Sequence, residues 1–221
     1  MSSPPLTTTS YAVLGLLAIQ SWSTYELTRQ MDRSLGRVWP RAVSKLYEEP
    51  KKLVVHGLAR ASKEPVGRRS RTVYSITPKG RRALAAWLQH PGDGPVLEFE
   101  QLLKVFYSEN GTKSDLLATL AATREWAQER SAESHAIGEQ YLAGTGPFPE
   151  RAPQLTLTSR FLTDLYALVG DWASWAGDIV NDWPEDPRQA HVDPAETIET
   201  VRRAARAAAA TEHAGSSSAV D

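Results

Sequence analysis

The side chains of this sequence that can do chemistry are mostly basic, and they gather in two short segments of its first half. Over residues 40–56 a helical pattern places apolar residues on one side and Arg41, Ser44 and Lys45 on the other. Residues 63–71 form the second segment. Its four positive charges are Lys63, Arg68, Arg69 and Arg71. Guanidinium and ammonium groups bind phosphate oxygens and guanine edges. Both segments therefore predict nucleic-acid chemistry.

The net charge of −1 conceals a division between the two halves of the chain. Residues 1–92 contain 15 Lys or Arg and 5 Asp or Glu, whereas residues 93–221 contain 10 and 21. The first half should attract polyanions and the second should repel them. The alternative is that the two oppositely charged surfaces dock on each other.

The basic segments lie among predicted helices. Residues 11–19 are apolar on all sides and predict a short buried helix. Ser23 and Glu26 have the spacing of a capping box, in which each side chain satisfies a backbone amide at a helix start. They predict a second helix over residues 24–34. A third helix is predicted over residues 40–56.

The pattern then changes to strands. Residues 58–61 and 72–76 predict two strands, and residues 62–70 predict a polar loop between them. Thr77 and Pro78 suit the start of a fourth helix. The residues expected on its inner face are Ala83, Leu84, Trp87 and Leu88. Three helices, a two-stranded wing and a fourth helix are the order of a winged helix-turn-helix.

The second helix of a helix-turn-helix lies in the major groove of DNA, with its N-terminal residues on base edges. Arg41 and Lys45 are therefore the candidates for guanine contacts, and Ser44 for bases or phosphate. Tyr47 lies at the edge of the helix, where its hydroxyl can reach a phosphate. The four wing charges suit phosphates or a narrow minor groove.

The second half of the chain predicts long helices over about residues 97–109, 114–142 and 155–183. The last carries apolar residues at alternating spacings of four and three, which is a heptad seam. The seam consists of Phe161, Leu165, Leu168, Trp172, Trp175 and Ile179. Burial against a second copy of the chain predicts a homodimer through this seam. The alternative is an intramolecular helical bundle.

The predicted fold is mainly α, in three parts. A winged helix-turn-helix domain occupies residues 1–92, and an acidic helical dimerisation domain occupies residues 93–186, after a cluster of Pro and Gly. Residues 187–221 form a C-terminal extension. In it we expect an Ala/Arg-rich helix over about 193–211 and disorder over 214–221.

Composition argues against several other classes of protein. The sequence has no cysteine, and its longest apolar stretch, residues 11–19, is about half of what a membrane helix needs. The five histidines are scattered without the spacing of metal ligands. We therefore expect a soluble, cytoplasmic protein that is not an enzyme and has no catalytic residues, metal or cofactor.

The first ninety residues resemble the PadR-like transcription regulators. The resemblance rests on residues 11–17 (YAVLGLL), 23–27 (STYEL) and 71–80 (RTVYSITPKG), with a weaker likeness in the acidic half. It implies a homodimer that binds double-stranded DNA, usually as a repressor of nearby promoters. In some members phenolic or other aromatic molecules release the repressor, from a cavity between the domains or at the dimer axis. Trp22 and Trp39 are the candidate effector contacts.

Pro50 departs from the pattern of the family, which usually has leucine there. Inside a helix a proline removes one backbone hydrogen bond. We therefore expect Pro50 to kink or shorten the 40–56 helix, which leaves the phosphate contacts predicted for Lys51 and Lys52 open.

Two further readings compete with repression. In the first, the chain is a ligand-binding or protein-interaction module whose helix-turn-helix no longer binds DNA. In the second, the chain is an activator that works with a partner protein.

Overall fold

The computed structural model describes residues 4–40, 47–66 and 69–217 and divides the chain into two compact units, Met1–Pro95 and Val96–Asp221. The predicted fold class, a mainly helical chain that begins with a winged helix, is confirmed. The described elements of the first unit are α1 (Thr8–Ile19), β1 (Trp22–Ser23), α2 (Thr24–Ser34), α3 (Glu49–Val55), β2 (Ala59–Val66), β3 (Arg69–Ile76) and α4 (Pro78–Leu88).

Helix α1 is the central element of the first unit. It begins at Thr8, three residues before the predicted start, because Thr7 and Ser10 form a capping box at its N-terminus. Apolar residues surround its axis, so it is covered by α2, α3, α4 and β3. The fully buried side chains at these contacts include Val13, Leu14, Leu17, Leu27, Met31 and Leu53.

Helix α2 spans the residues that the sequence predicts, and its capping box is confirmed. The amide of Glu26 donates to the Ser23 hydroxyl at 3.3 Å, and the amide of Ser23 donates to the Glu26 carboxylate at 2.8 Å. Leu27 and Met31, one helical turn apart, turn the same face toward the core.

A continuous helix over residues 40–56 was the wrong prediction. Tyr47 and Glu48 form a turn, and α3 starts only at Glu49. Pro50 therefore lies in the first turn of α3, where its missing amide would have no helical acceptor. Of the two effects expected from Pro50, the structure shows a shortened helix and not a kink, because Pro50 lies at the start of α3 rather than inside it.

The wing strands are longer than predicted, and a third strand joins them. Strands β2 and β3 pair antiparallel along eight residues each, so most of the predicted 62–70 loop is strand. The two-residue β1 pairs with β3 through Trp22 opposite Tyr74, which gives the sheet order β1-β3-β2. This anchors the base of the wing to the start of α2.

Helix α4 closes the first unit. Its N-cap is Thr77, as predicted, whose hydroxyl accepts a hydrogen bond from the amide of Gly80 at 3.0 Å. Trp87 stacks on Tyr11 with ring centroids 5.2 Å apart. Leu88, predicted to face inward, is 67% exposed, so the inner face of α4 ends one residue earlier.

The second unit is a helical hairpin with shorter helices around it. Its helices are α5 (Glu100–Phe106), α6 (Lys113–Leu142), α7 (Ala152–Asn181) and α8 (Pro194–Ser217). Helices α6 and α7 pack along much of their length. Their shared core buries Leu116, Leu120, Thr123, Ala127, Leu162, Tyr166, Ala173, Ala176 and Val180.

The predicted tail helix exists but runs further than expected. Helix α8 extends to Ser217, so disorder over residues 214–217 was the wrong prediction, and residues 218–221 lie outside the described part. Among the helices of the described residues, none is long and apolar enough to cross a membrane.

Candidate nucleic-acid interface

The wing is a two-stranded ribbon about 23 Å long, because the eight residues of each strand span seven steps of about 3.3 Å. Ala59 opposite Ile76 marks its base, and Val66 opposite Arg69 marks its tip. Lys63 is exposed near the middle, opposite Thr72. Arg68 and the side chain of Arg69 lie outside the described residues. The ribbon thus carries predicted DNA-binding positions away from the core.

Arg71 is the wing residue whose contacts are best defined. Its guanidinium donates to Glu26 of α2 at 3.0 Å and to Glu64, directly opposite on β2, at 3.3 Å. The three side chains form a bridge between the wing and the start of α2. Arg71 was predicted to contact DNA. In this structure its guanidinium contacts two carboxylates, so a phosphate would have to compete with them.

Glu26 belongs both to this bridge and to the capping box of α2. Its pKa lies below the ordinary value of 4.5, first because the Ser23 backbone amide donates to the carboxylate, then because of the Ser23 side chain. The nearby charge of Arg71 lowers the pKa further, and partial burial opposes the shift. The site therefore favours the ionised carboxylate.

The lowered pKa of Glu26 predicts that the stability contributed by its carboxylate is lost in acid. A comparison of the wild type with Glu26→Gln measures this contribution. A carboxylate with a lowered folded pKa stabilises the fold above its unfolded pKa, near 4.5, and loses that effect as pH falls through the folded pKa. The free-energy gap between wild type and Glu26→Gln should therefore be largest at neutral pH. Urea unfolding in steps from pH 7 to pH 3 measures it, and a gap that stays constant would contradict the prediction.

Of the predicted recognition segment, residues 40–56, the structure describes Pro40 and residues 47–56. Arg41, Ser44 and Lys45 lie outside the described residues, so their predicted base contacts stay predictions. Tyr47 is 60% exposed, as a phosphate contact would require. The structure distinguishes the two lysines of α3, whose phosphate contacts the sequence left open. Lys51 is exposed, whereas Lys52 is largely covered and forms an ion pair with buried Glu49 at 3.3 Å.

Trp22 and Trp39, the predicted effector contacts, both bond to α1. The indole nitrogen of Trp22 donates to the Leu16 carbonyl at 2.9 Å, and that of Trp39 donates to the Thr9 hydroxyl at 3.1 Å. Trp22 is buried at the sheet, while the ring of Trp39 is 37% exposed. Of the two, only Trp39 keeps a substantial part of its ring accessible for stacking.

The heptad seam of α7 is not the face that packs on α6. The hairpin buries the neighbouring row, which includes Leu162, Tyr166 and Ala176, offset by one residue from the seam. Among the seam residues, Phe161, Leu168 and Trp175 are 56%, 65% and 45% exposed. Trp172 is partly covered, with Phe99 edge-on at 6.1 Å. Much of the seam is thus unburied within one chain.

Comparison with known proteins agrees with the fold and the wing. Residues 13–86 match the sequence profile of the transcriptional regulator PadR-like family. This match covers most of the winged-helix unit, which we call the PadR-like domain.

Two relatives match part of this chain in sequence. The probable transcriptional regulator Rv1176c of Mycobacterium tuberculosis is 34% identical over 82 residues, which are 37% of this chain and 43% of the relative. The negative transcriptional regulator PadR of Bacillus subtilis is 30% identical over 99 residues, which are 44% and 54% of the two chains. The chain thus aligns with about half the length of these relatives.

Solved structures extend the likeness of fold beyond the PadR-like domain. Bacillus subtilis PadR in complex with operator DNA has a TM-score of 0.69 at 20% identity, covering 79% of this chain and 99% of that one. The same protein in complex with p-coumaric acid has a TM-score of 0.63 at 19% identity, covering 80% and 100%. The second unit therefore shares the helical architecture of these proteins.

Sequence reasoning missed two polar features of the PadR-like domain, the contact between Glu64 and Arg71 and the burial of Glu49. The Glu64–Arg71 contact follows from strand register, but it was hidden because Glu64 was placed in the predicted 62–70 loop. Glu49 was not singled out in the sequence, yet it is only 5% exposed. Its position directly before Pro50 was the available signal, since a proline of this kind marks a helix start.

Proposed function

We propose that the chain is a dimeric transcription regulator that binds an inverted-repeat operator and represses the adjacent promoter. The observation that carries this proposal is the extended basic wing, held beside α2 and α3 in a PadR-like domain. The fold resembles that of Bacillus subtilis PadR bound to operator DNA, and that protein is a negative regulator by name.

The proposed DNA contacts combine a recognition segment and the wing. Arg41 and Lys45 read base edges, with Ser44 beside them, and exposed Tyr47 bonds a phosphate. The positively charged wing binds the backbone or the minor groove. The wing residues of the proposal are Lys63, Arg68, Arg69 and Arg71.

The proposed dimer forms through the seam of α7. Phe161, Leu168 and Trp175 expose apolar surface that folding of one chain leaves uncovered. A second copy would cover it with the same residues across a two-fold axis. Two-fold symmetry also matches an inverted repeat, whose half-sites lie about 34–36 Å apart on one face of the duplex.

The proposed control of binding is release by a small aromatic effector. The support is the likeness of fold to PadR in complex with p-coumaric acid. Trp39, with its ring partly exposed, is better placed to stack on such a molecule than buried Trp22.

The proposal is tested by selection from a pool of randomised duplex DNA. The wild-type chain should enrich an inverted repeat and protect two half-sites about one helical turn apart. A variant with Arg41, Lys45, Arg68 and Arg69 changed to Ala should enrich nothing, because the base and phosphate contacts are removed. Equal enrichment by both proteins would contradict the assigned contacts. No enrichment by the wild type would favour a module that does not bind DNA.

The direction of regulation needs a separate measurement. A reporter driven by the promoter beside the selected site should rise when the gene for this chain is deleted. A fall would show activation instead.

A further inference from the structure

Two neighbouring residues of α1 bond to Trp39 and Glu49, which flank residues 40–48 of the recognition segment. Thr9 and Ser10 are both buried. The Thr9 hydroxyl accepts a hydrogen bond from the indole nitrogen of Trp39 at 3.1 Å. The Ser10 hydroxyl donates to the carboxylate of Glu49 at 2.6 Å. The chain on both sides of the segment is therefore held by consecutive residues of one helix.

The contact between Ser10 and Glu49 is polar at a place where apolar packing would suffice for stability. Glu49 is only 5% exposed, so its carboxylate needs the Ser10 hydroxyl and the Lys52 ammonium as partners. The Ser10 hydroxyl also accepts the amide of Thr7 at 3.0 Å, which fixes its direction. Polar bonds of this kind specify one orientation, whereas an apolar contact tolerates sliding.

The bond between Thr9 and Trp39 has the same character at the other end of the segment. The indole offers a single donor, and the Thr9 hydroxyl takes it from a fixed position on α1. Because 37% of the Trp39 ring is exposed, burial alone holds this side chain less firmly than the bond does.

We infer that Thr9 and Ser10 are positioning residues, which act through Trp39 and Glu49 to set the angle at which the recognition segment meets base edges. This inference rests on the proposed function. Base contacts require placement within about 0.5 Å, whereas attraction to phosphates depends mainly on charge. Loss of these bonds should therefore reduce preference for the operator and leave affinity for random DNA unchanged.

The test compares two tryptophan variants of the full chain. Trp39→Phe removes the indole donor next to the segment, which bonds Thr9. Trp22→Phe removes an indole donor that bonds the Leu16 carbonyl, two turns further along α1. Binding is measured to the duplex that the wild type enriches most and to a random duplex of equal length. Thermal unfolding of each variant is recorded alongside.

Trp39→Phe should weaken binding to the selected duplex about tenfold, with random-duplex affinity and salt dependence unchanged. Trp22→Phe should lower the unfolding temperature but keep the wild-type ratio of the two affinities. Thr9→Val, which removes the acceptor and keeps the ring, should reproduce Trp39→Phe. It also serves as the second variant if Trp39→Phe does not fold.

The other end of the segment is tested at Glu49. Glu49→Ala removes the acceptor of the Ser10 hydroxyl and should reduce the ratio of the two affinities about tenfold. Glu49→Gln keeps an acceptor oxygen of the same reach and should restore most of the ratio. A purely structural role for Glu49 would change the unfolding temperature without this difference in DNA preference.

The inference is overturned if Trp39→Phe and Thr9→Val keep the wild-type ratio, or if Trp22→Phe reduces it equally. Failure of the proposed function has a different result, because the wild type itself would then enrich no duplex.

Discussion

Leu168→Glu is expected to turn the proposed dimer into a monomer and to weaken operator binding by at least about a hundredfold. The side chain is 65% exposed within one chain, so the substitution should leave the α6–α7 hairpin folded. In the proposed dimer it places a carboxylate from each protomer in an apolar seam, where an unpaired charge costs several kcal/mol. Light scattering should find the 24.3-kDa chain mass in place of twice that value.

The matched control for this variant is Ala167→Glu. Ala167, the preceding residue of α7, is exposed and lies outside the heptad seam. The substitution therefore adds the same charge to the same turn of the helix. Ala167→Glu should remain dimeric and bind the selected duplex as the wild type does. If both variants behave alike, the seam is not the interface. A dimeric Leu168→Glu would point to another surface of the chain.

Gly80→Ala is expected to destabilise the PadR-like domain by roughly 3 kcal/mol or more. A Cβ at this position would lie 2.1 Å from the Leu58 carbonyl oxygen and 2.9 Å from Ile76. The close approach occurs where the first turn of α4 crosses the base of the wing, so relief would require the backbone to move. Urea unfolding of the full chain measures the loss.

The destabilisation expected for Gly80→Ala is opposite in sign to the usual effect of replacing a helical glycine by alanine. In an open helix position alanine stabilises relative to glycine by roughly 0.5–1 kcal/mol. Gly138 of α6 is such a position, since nothing lies within 4 Å of its added Cβ. Gly138→Ala should therefore stabilise the chain slightly. A neutral or stabilising Gly80→Ala would show that the wing base can shift to admit a methyl group.

The starts of α2 and α4 were the parts of the fold that the sequence predicted best. Ser23 with Glu26 marks α2, and Thr77 with Pro78 marks α4, because the capping interactions form between residues close in sequence. The N-terminus of α1 was missed by three residues. Its cap joins Thr7 to Ser10, and a serine at that position is a weaker signal than a glutamate.

The wing was underestimated because its strands have no core to face. A ribbon exposed on both sides needs no apolar alternation, so Lys63, Glu64 and Pro65 looked like loop residues. Proline is tolerated in β2 because β2 is an edge strand. The base of the wing, where Val73 and Tyr74 are buried, was predicted correctly as strand.

The polar connections of the candidate site could not be predicted, since they depend on contacts across the chain. Ser10 and Glu49 are 39 positions apart, and Arg71 and Glu26 are 45 positions apart. Periodicity indicates which face of a helix is buried, but not which carboxylate from elsewhere in the chain contacts that face. The sequence showed that the two segments are basic, but not which of their charged side chains pair with carboxylates elsewhere in the domain.

Glu26 has a consequence for how such a regulator diversifies. Its carboxylate caps α2 and also receives Arg71 from the wing, so a mutation there alters helix stability and wing placement together. Glu64, on the other side of Arg71, has no part in the cap. Lineages that acquire new operators can therefore adjust the wing through position 64 at little cost to folding, and position 26 should vary more slowly.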